Sequence, residues 1–242
     1  MKNRNQSDIN GVLLVDKERG MTSHDAVAIA RRSLGIRKIG HCGTLDPLAT
    51  GLLILVIGRG TKVQDLLMSE DKIYEGTLLL GVTTDSQDAD GEVIAESEVR
   101  DFGEAEIEAV FGRYHGDFYQ TPPMVSAIKK EGVPLYKLAR KGQTVEREPR
   151  LVHVYTHSVL ARRLPEIDFR VKCSKGFYVR TYVHDIGQEL GCGAHLKQLR
   201  RTQSGNFTLE RAVTVDELKS LPRQELASRV LSLPEVSRLR GV

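Results

Sequence analysis

The loop from Gly40 to Gly51, GHCGTLDPLATG, combines the features expected of a reactive site. Its three glycines and one proline predict an irregular backbone, and its single acidic side chain, Asp46, lies in the middle. Because Pro47 restricts the residue before it, the carboxylate of Asp46 has a preset direction. Such a group can serve as a nucleophile or a base, since catalytic groups concentrate on loops held by a rigid scaffold. The same pattern also fits a simple turn that Asp46 caps, and these residues alone leave both interpretations open.

Metal, nucleotide and disulfide motifs are missing from the rest of the sequence. The three cysteines have no CxxC spacing and cannot all pair within one chain, which argues against a zinc ribbon and a disulfide framework. The glycine-rich loop lacks the GxxxxGK[ST] pattern of a triphosphate-binding loop. Outside this loop no histidine has metal-ligand spacing: His24, His115, His153, His157, His184 and His195. We therefore expect no metal and no cofactor.

Basic residues are clustered, although the formal net charge is only +3. Clusters of this kind can follow a phosphate backbone, whereas any one of them also fits solvated surface charge. Together they favour RNA as the partner. The clusters are Arg31, Arg32, Arg37 and Lys38; Lys129 and Lys130; Lys137, Arg140 and Lys141; and Arg200 with Arg201.

The elements that must position Asp46 are predicted on both sides of its loop. The apolar run from residue 11 to residue 16 predicts a buried strand, and the run from 52 to 57 predicts a central strand. Between them, Val27, Ala30 and Leu34 recur at helical spacing. We expect Ser23 to be the N-cap of this helix and Gly35 to end it.

Strands outnumber helices in the remainder of the chain and mostly follow one another. Strict alternation over residues 152–157 and 167–173 predicts half-buried antiparallel strands. We therefore expect an α+β fold with a mixed, largely antiparallel central sheet flanked by helices. The other predicted strands are 72–82 and 92–95, joined across the Asp90-Gly91 turn, and the other predicted helices are 61–68, 104–113 and 179–190.

The sequence GHCGTLDPLATGLL strongly resembles the catalytic signature of the TruB family of tRNA pseudouridine synthases. Four further segments follow in the order that this family has them, and the match extends over about residues 11–220. This resemblance implies a pseudouridine-synthase-like fold. It also favours the interpretation of Asp46 as a catalytic residue over its interpretation as the cap of a simple turn. The segments are DKERGMTSHDAV, KIYEGTLLLGVTTDSQDADG, TPPMVSAIK with the nearby LYKLARKG, and KCSKGFYVRTYVHDIGQELGCGAHLKQLRR.

The resemblance assigns a role to each candidate site residue. In the family the aspartate of the GTLDP loop attacks the target nucleoside, and Asp46 occupies that place. Its counterpart cation is Arg180, which favours the ionised carboxylate. Whether Asp46 adds to the sugar or abstracts a proton stays open. Tyr74 matches the tyrosine beside the flipped base, and whether it stacks on the uracil or takes a proton stays open. Tyr178 and Leu199 match positions that contact the flipped uridine, and His41 matches a histidine that fills the space left in the RNA.

The implied reaction is isomerisation of the T-loop uridine that becomes the Ψ of TΨC in tRNA. We expect a monomer without an obligate protein partner, in the cytoplasm. The predicted catalytic domain comprises residues 11–214, and a short helical tail over 215–242 leaves no complete PUA-type domain. The competing hypotheses are a non-catalytic RNA-binding or tRNA-folding protein on the same scaffold and a guide-dependent pseudouridine synthase.

Overall fold

The computed structural model describes residues 9–126, 128–130, 132–139 and 142–241. Two members of the predicted basic clusters, Arg140 and Lys141, lie outside these residues. The chain divides into two compact units. The first consists of residues 9–73 and 200–241, and the second consists of the described residues between 74 and 199. The predicted domain boundary after residue 214 stays a prediction.

The first part of the first unit alternates strands and helices up to residue 73. A six-residue 3-10 helix, Gly58–Val63, leads into the second α-helix. The elements are β1 (Gly11–Lys17), α1 (Ser23–Leu34), β2 (Ile39–Cys42), β3 (Thr50–Ile57), α2 (Gln64–Met68) and the start of β4 (Lys72–Leu80).

The second unit contains the strands and helices from β4 to β12. They are β5 (Val82–Thr84), β6 (Val93–Glu96), α3 (Glu104–Arg113), β7 (Gly116–Gln120), β8 (Lys129–Lys130), β9 (Val133–Pro134), α4 (Leu135–Ala139), β10 (Arg150–Arg163), β11 (Glu166–Cys173), α5 (Val179–Glu189) and β12 (Ala194–Ser204). Its sheet has the strand order β12-β4-β11-β10-β7, and β10 is antiparallel to both neighbours. Helices α3 and α5 pack on this sheet through Phe111, Phe169 and Tyr182, whose ring centroids lie 5.8–6.1 Å apart.

The chain returns to the first unit at Arg200, within β12. The elements that follow are β13 (Phe207–Thr208), a 3-10 turn (Leu209–Arg211), β14 (Val213–Thr214), α6 (Val215–Ser220), α7 (Arg223–Ser228) and α8 (Leu233–Arg240). The sheet of this unit has the order β14-β1-β3-β12, and β2 also pairs with β3. Its central strand is β3, in which all residues but the first are buried. The α+β fold with a mixed, largely antiparallel sheet is therefore confirmed.

Three local predictions were wrong. The N-cap of α1 is Thr22, which forms a capping box with Asp25, and Ser23 is the first helical residue. The predicted strand 72–82 is interrupted at Gly81 (φ 81°), so that β6 pairs with the separate strand β5. In β10 the register shifts between Val154 and Thr156, and the regular alternation predicted there ends at this bulge.

Candidate active site

The loop with Asp46 leaves the sheet where β3 changes its neighbour. On one edge of β3, residues 50 and 51 pair with β12, whereas residues 54–57 pair with β2. The loop connects the end of β2 to the start of β3 across this gap. Its ends therefore rest on buried strands of the sheet, which gives it the rigid base that a catalytic loop needs.

Arg201 occupies the gap between β12 and β2 on this edge of β3. Its side chain is almost completely buried, with 1% of the residue exposed. The Nε atom donates to the carbonyl of Leu52 at 2.7 Å, and Nη2 donates to the carbonyl of Gly43 at 3.1 Å. A Cβ on Gly51 would lie 2.3 Å from the carbonyl oxygen of Arg201, so only glycine allows the strands to approach this closely. The guanidinium thus ties together both ends of the loop.

Ser23 anchors the residue that precedes Asp46. Its hydroxyl accepts a hydrogen bond from the backbone N–H of Leu45 at 2.9 Å and donates to the carbonyl of Leu45 at 3.1 Å. Both residues are buried. Because buried backbone groups need partners, this hydroxyl replaces two hydrogen bonds that the irregular loop cannot make internally. The residue that the sequence suggested as a helix cap is instead a support for the loop.

The residue that follows Asp46 is held from the other side. The carbonyl of Pro47 accepts from the backbone N–H of Gly20 at 2.8 Å and lies 3.5 Å from the Nζ atom of Lys17. Lys17 is completely buried and also donates to the carbonyls of Glu18 and Met21, each at 2.8 Å. The segment between β1 and α1 therefore fixes Pro47.

Asp46 itself is half-buried between two anchored neighbours, and Leu45 and Leu48 beside it point into the core. Its carbonyl accepts from the N–H of Ala49 at 3.1 Å, which closes a turn around Pro47. The backbone on both sides of Asp46 is consequently held by residues from outside the loop. The direction of the carboxylate itself stays a prediction.

His41 lies on β2 in the same unit, and its ring packs edge-on against His24 with a centroid distance of 5.1 Å. Its buried Nδ1 atom has no hydrogen-bond partner among the described residues. Burial, with smaller effects of His24 and Arg201, lowers the pKa of His41 to about 4. The imidazole is therefore neutral at physiological pH, as an apolar or stacking contact requires.

The second unit contains the other predicted residues. Arg180, on the first turn of α5, is buried, with 3% of the residue exposed. Its Nη1 atom donates to the carbonyl of Ser86 at 2.9 Å, and Nη2 donates to the carbonyl of Val125 at 2.7 Å. Arg180 thereby links α5 to two other segments that carried the resemblance.

Asp88 is a residue that sequence reasoning missed. It is buried, and its Oδ2 atom lies 3.6 Å from the Nε atom of Arg180. The hydroxyl of Ser86 donates to Oδ1 at 2.5 Å, and the backbone N–H of Asp90 donates to the same atom at 3.2 Å. The signal was available, because Asp88 lies in the segment DSQDADG. The predicted pairing of Arg180 with Asp46 stays a prediction.

Gln120 fixes the start of α5. Its side-chain oxygen accepts from the N–H of Tyr178 at 2.8 Å, and its side-chain nitrogen donates to the carbonyl of Tyr178 at 3.1 Å. Tyr178 is the N-cap residue of α5, so this pair places both Tyr178 and Arg180. Tyr74 and Leu199 lie on the neighbouring strands β4 and β12, with 9% and 8% of each residue exposed.

Two other properties of the described residues bear on function. No group of three or more histidine, cysteine, aspartate or glutamate residues in this part of the chain could hold a metal ion. Within the same residues, every helix is too short or too polar to cross a membrane.

The chain matches two family descriptions along most of its length. Residues 31–179 match "TruB family pseudouridylate synthase (N terminal domain)", and residues 180–234 match "tRNA pseudouridylate synthase B C-terminal domain". The first match ends directly before Arg180. Four of the six candidate site residues therefore lie in the first match, and Arg180 and Leu199 lie in the second.

Known proteins resemble the whole chain. A protein named tRNA pseudouridine synthase B from Opitutus terrae is 55% identical over 93% of this chain and 94% of its own length. A protein with the same name from Syntrophotalea carbinolica is 47% identical over 95% of this chain and 75% of its own. Among solved structures, a chain of a Cbf5-Nop10-Gar1 complex superposes with a TM-score of 0.73 at 29% identity. That match covers 96% of this chain but 63% of the other.

Proposed function

Because this chain belongs to the TruB family of pseudouridine synthases, we propose that it isomerises the T-loop uridine of tRNA that becomes the Ψ of TΨC. At the coarser level it is a tRNA pseudouridine synthase, an isomerase. The reaction breaks the bond between N1 of uracil and C1′ of the ribose, rotates the base, and forms a bond between C5 and C1′. A proton leaves C5 and N1 gains one, so substrate and product have the same composition.

The proposed nucleophile is Asp46. The observation that supports this role most is the double anchoring of its neighbours, Leu45 by Ser23 and Pro47 by Gly20 and Lys17. A nucleophile contributes most when its position is set before the substrate arrives, because ordering costs have then been met during folding. A turn whose only purpose was to connect two strands would not need these buried contacts.

The second unit supplies the proposed contacts to the substrate. Arg180 is the proposed cationic partner of Asp46 in the reaction, while Asp88 and the two carbonyls hold its guanidinium in one orientation. Tyr74, Tyr178 and Leu199 are proposed to contact the flipped uracil. Tyr74 and Leu199 are buried and Tyr178 is half-buried, which is compatible with an apolar pocket for a base.

His41 is proposed to occupy the space that the flipped uridine leaves in the RNA. A base that reacts at C1′ and C5 must leave its stack, at a cost of a few kcal/mol. The depressed pKa of His41 supports this role, since a neutral ring replaces a stacked base with less desolvation than an imidazolium would.

The proposed partner is tRNA alone, bound by a monomeric enzyme. The two solved Cbf5 structures contain additional proteins, Nop10 in both and Gar1 in one, which are partners of Cbf5. The relative from Opitutus terrae supports a simpler arrangement, because a protein of nearly this length has the name tRNA pseudouridine synthase B.

The test is tritium release from in vitro transcribed tRNA that is labelled at C5 of uridine, followed by mapping of the modified position. The wild-type protein should release tritium and place pseudouridine in the T-loop. Release with a product at another position would refute the T-loop assignment. A protein that only binds or folds tRNA would release no tritium at all.

A further inference from the structure

A group of exposed basic side chains lies at the end of the β2–β3 hairpin that is opposite to the Asp46 loop. Register pairs Ile39 with Ile57 at this end, and the N–H of Gly58 donates to the carbonyl of Lys38 at 2.8 Å. The turn before β2 and the 3-10 helix after β3 are therefore side by side, next to the last turn of α1. The exposed cations here, which we call the basic surface, are Arg32, Arg37, Lys38, Arg59 and Lys62.

Acidic residues are sparse along the chain around the basic surface. From residue 26 to residue 64 the sequence contains six basic residues, and its one acidic residue is Asp46. Asp25 and Asp65 lie directly before and after this segment. None of the five side chains of the basic surface forms an ion pair with any residue that the structure describes. Exposed cations elsewhere in the same unit do, for example Arg211 with Glu235, Lys219 with Asp216 and Arg229 with Glu225.

Stabilisation of α1 does not explain the whole group. A cation near a helix C-terminus interacts favourably with the helix dipole, and this accounts for Arg32 in the last turn. Arg31, on the same turn, is used structurally, because its Nη2 atom donates to the carbonyl of Ile39 at 2.7 Å. Lys38, Arg59 and Lys62 lie beyond the helix, where like charges repel each other unless an anion is bound.

We propose that the basic surface binds the sugar-phosphate backbone of the substrate tRNA outside the loop that contains the target uridine. This inference rests on the proposed function, since it takes the same tRNA as the partner. The four residues of β2 separate Lys38 from Gly43, and these five steps of nearly extended chain place the basic surface roughly 15 to 20 Å from the Asp46 loop. That distance corresponds to about five base steps along a strand, too far for contacts to the reacting nucleotide itself.

The experiment measures the affinity for whole tRNA as a function of salt with the variant Arg37→Gln/Lys38→Gln/Arg59→Gln. The matched control is Arg211→Gln/Lys219→Gln/Arg229→Gln, which removes the same charge from the same unit. Each lost phosphate contact should make the slope of log K against log salt less steep by about 0.9. Measured between about 50 and 200 mM salt, the slope of the test variant should therefore be less steep than that of the wild type by about 2 to 3. The control should change by less than about 1, and both should melt as the wild type does.

Two results would overturn the proposal: a slope equal to that of the wild type, or the same loss in the control, which would indicate a general charge effect. All binding measurements are made in the Asp46→Asn background, in which turnover does not interfere. The outcome is therefore independent of the proposed chemistry. If tritium release or the modified position contradicts the proposed function, the salt dependence still reports whether the basic surface binds tRNA.

Discussion

Replacing Ser23 by alanine tests whether the anchoring of the Asp46 loop controls catalysis. The hydroxyl of Ser23 makes two buried hydrogen bonds, to the N–H and the carbonyl of Leu45. Alanine is a good helix former, so α1 itself should not be weakened. The two backbone groups of Leu45 lose their partner, and each unsatisfied buried group costs about 1 to 3 kcal/mol. With partial relaxation, we expect a loss of about 2 to 4 kcal/mol in the free energy of unfolding.

The loss should be visible both in stability and in rate. For a chain of this size it corresponds to a melting temperature that is lower by about 5 to 15 °C. Because the loop is no longer held at Leu45, kcat should fall on the order of 10- to 100-fold while KM changes little. Tritium release over a range of tRNA concentrations separates the two parameters, and urea unfolding gives the stability.

Thr22→Ala is the matched control. Thr22 caps the same helix one residue earlier, and its loss should cost about 1 kcal/mol without any contact to the loop. Its kcat should stay within about twofold of wild type. If Ser23→Ala is destabilised as expected but keeps kcat within about threefold, the position of Asp46 does not depend on this anchor and the reasoning fails.

Asp46→Asn should fold normally and lose turnover, and a rate within about tenfold of wild type, or ~1.4 kcal/mol of barrier, would refute its role as nucleophile. Arg180→Met should lower the free energy of unfolding by about 3 to 5 kcal/mol because it removes the cationic partner of the buried carboxylate of Asp88. Adding Asp88→Asn should restore much of that stability in urea unfolding but not tritium release, and recovery of both would mean that Arg180 is only structural. Burial, with the charge of Glu189, raises the pKa of Asp185 to about 6. Between about pH 4 and 6, Asp185 therefore keeps a proton in the folded protein that it has lost in the unfolded chain. The free energy of unfolding falls as the pH rises through this window. Asp185→Asn should accordingly melt at a higher temperature than wild type above pH 6 and similarly near pH 4, and a pH-independent difference would contradict this assignment.

Local sequence patterns were sufficient for the regular elements. The helix predicted over residues 104–113 has those bounds in the structure, and Gly35 ends α1 in the left-handed conformation (φ 66°). The buried strand β3 followed from its apolar run. These features depend on side-chain periodicity and on the conformational freedom of glycine, which neighbouring residues determine among themselves.

Choices between adjacent, chemically similar residues were harder to predict. Thr22 and Ser23 both have hydroxyl groups that can cap a helix, but Thr22 has the extended backbone (φ −79°, ψ 160°) that a cap requires. Ser23 is then free to turn its hydroxyl toward Leu45, a residue that lies 22 positions away. Which of the two becomes the cap depends on the path by which the chain enters the helix.

The sequence by itself determined the family, the identity of the candidate nucleophile and most of the elements around it. Only the tertiary structure decided how the site is supported. Arg201 contacts Gly43 across 158 positions, and Arg180 contacts Ser86 across 94. Both arginines are buried because the hydrogen bonds of guanidinium groups to carbonyls offset their desolvation, and those carbonyls are brought close only by strand pairing and loop packing. Local periodicity contains no information about such distant partners, so the burial of these charges could not be read from it.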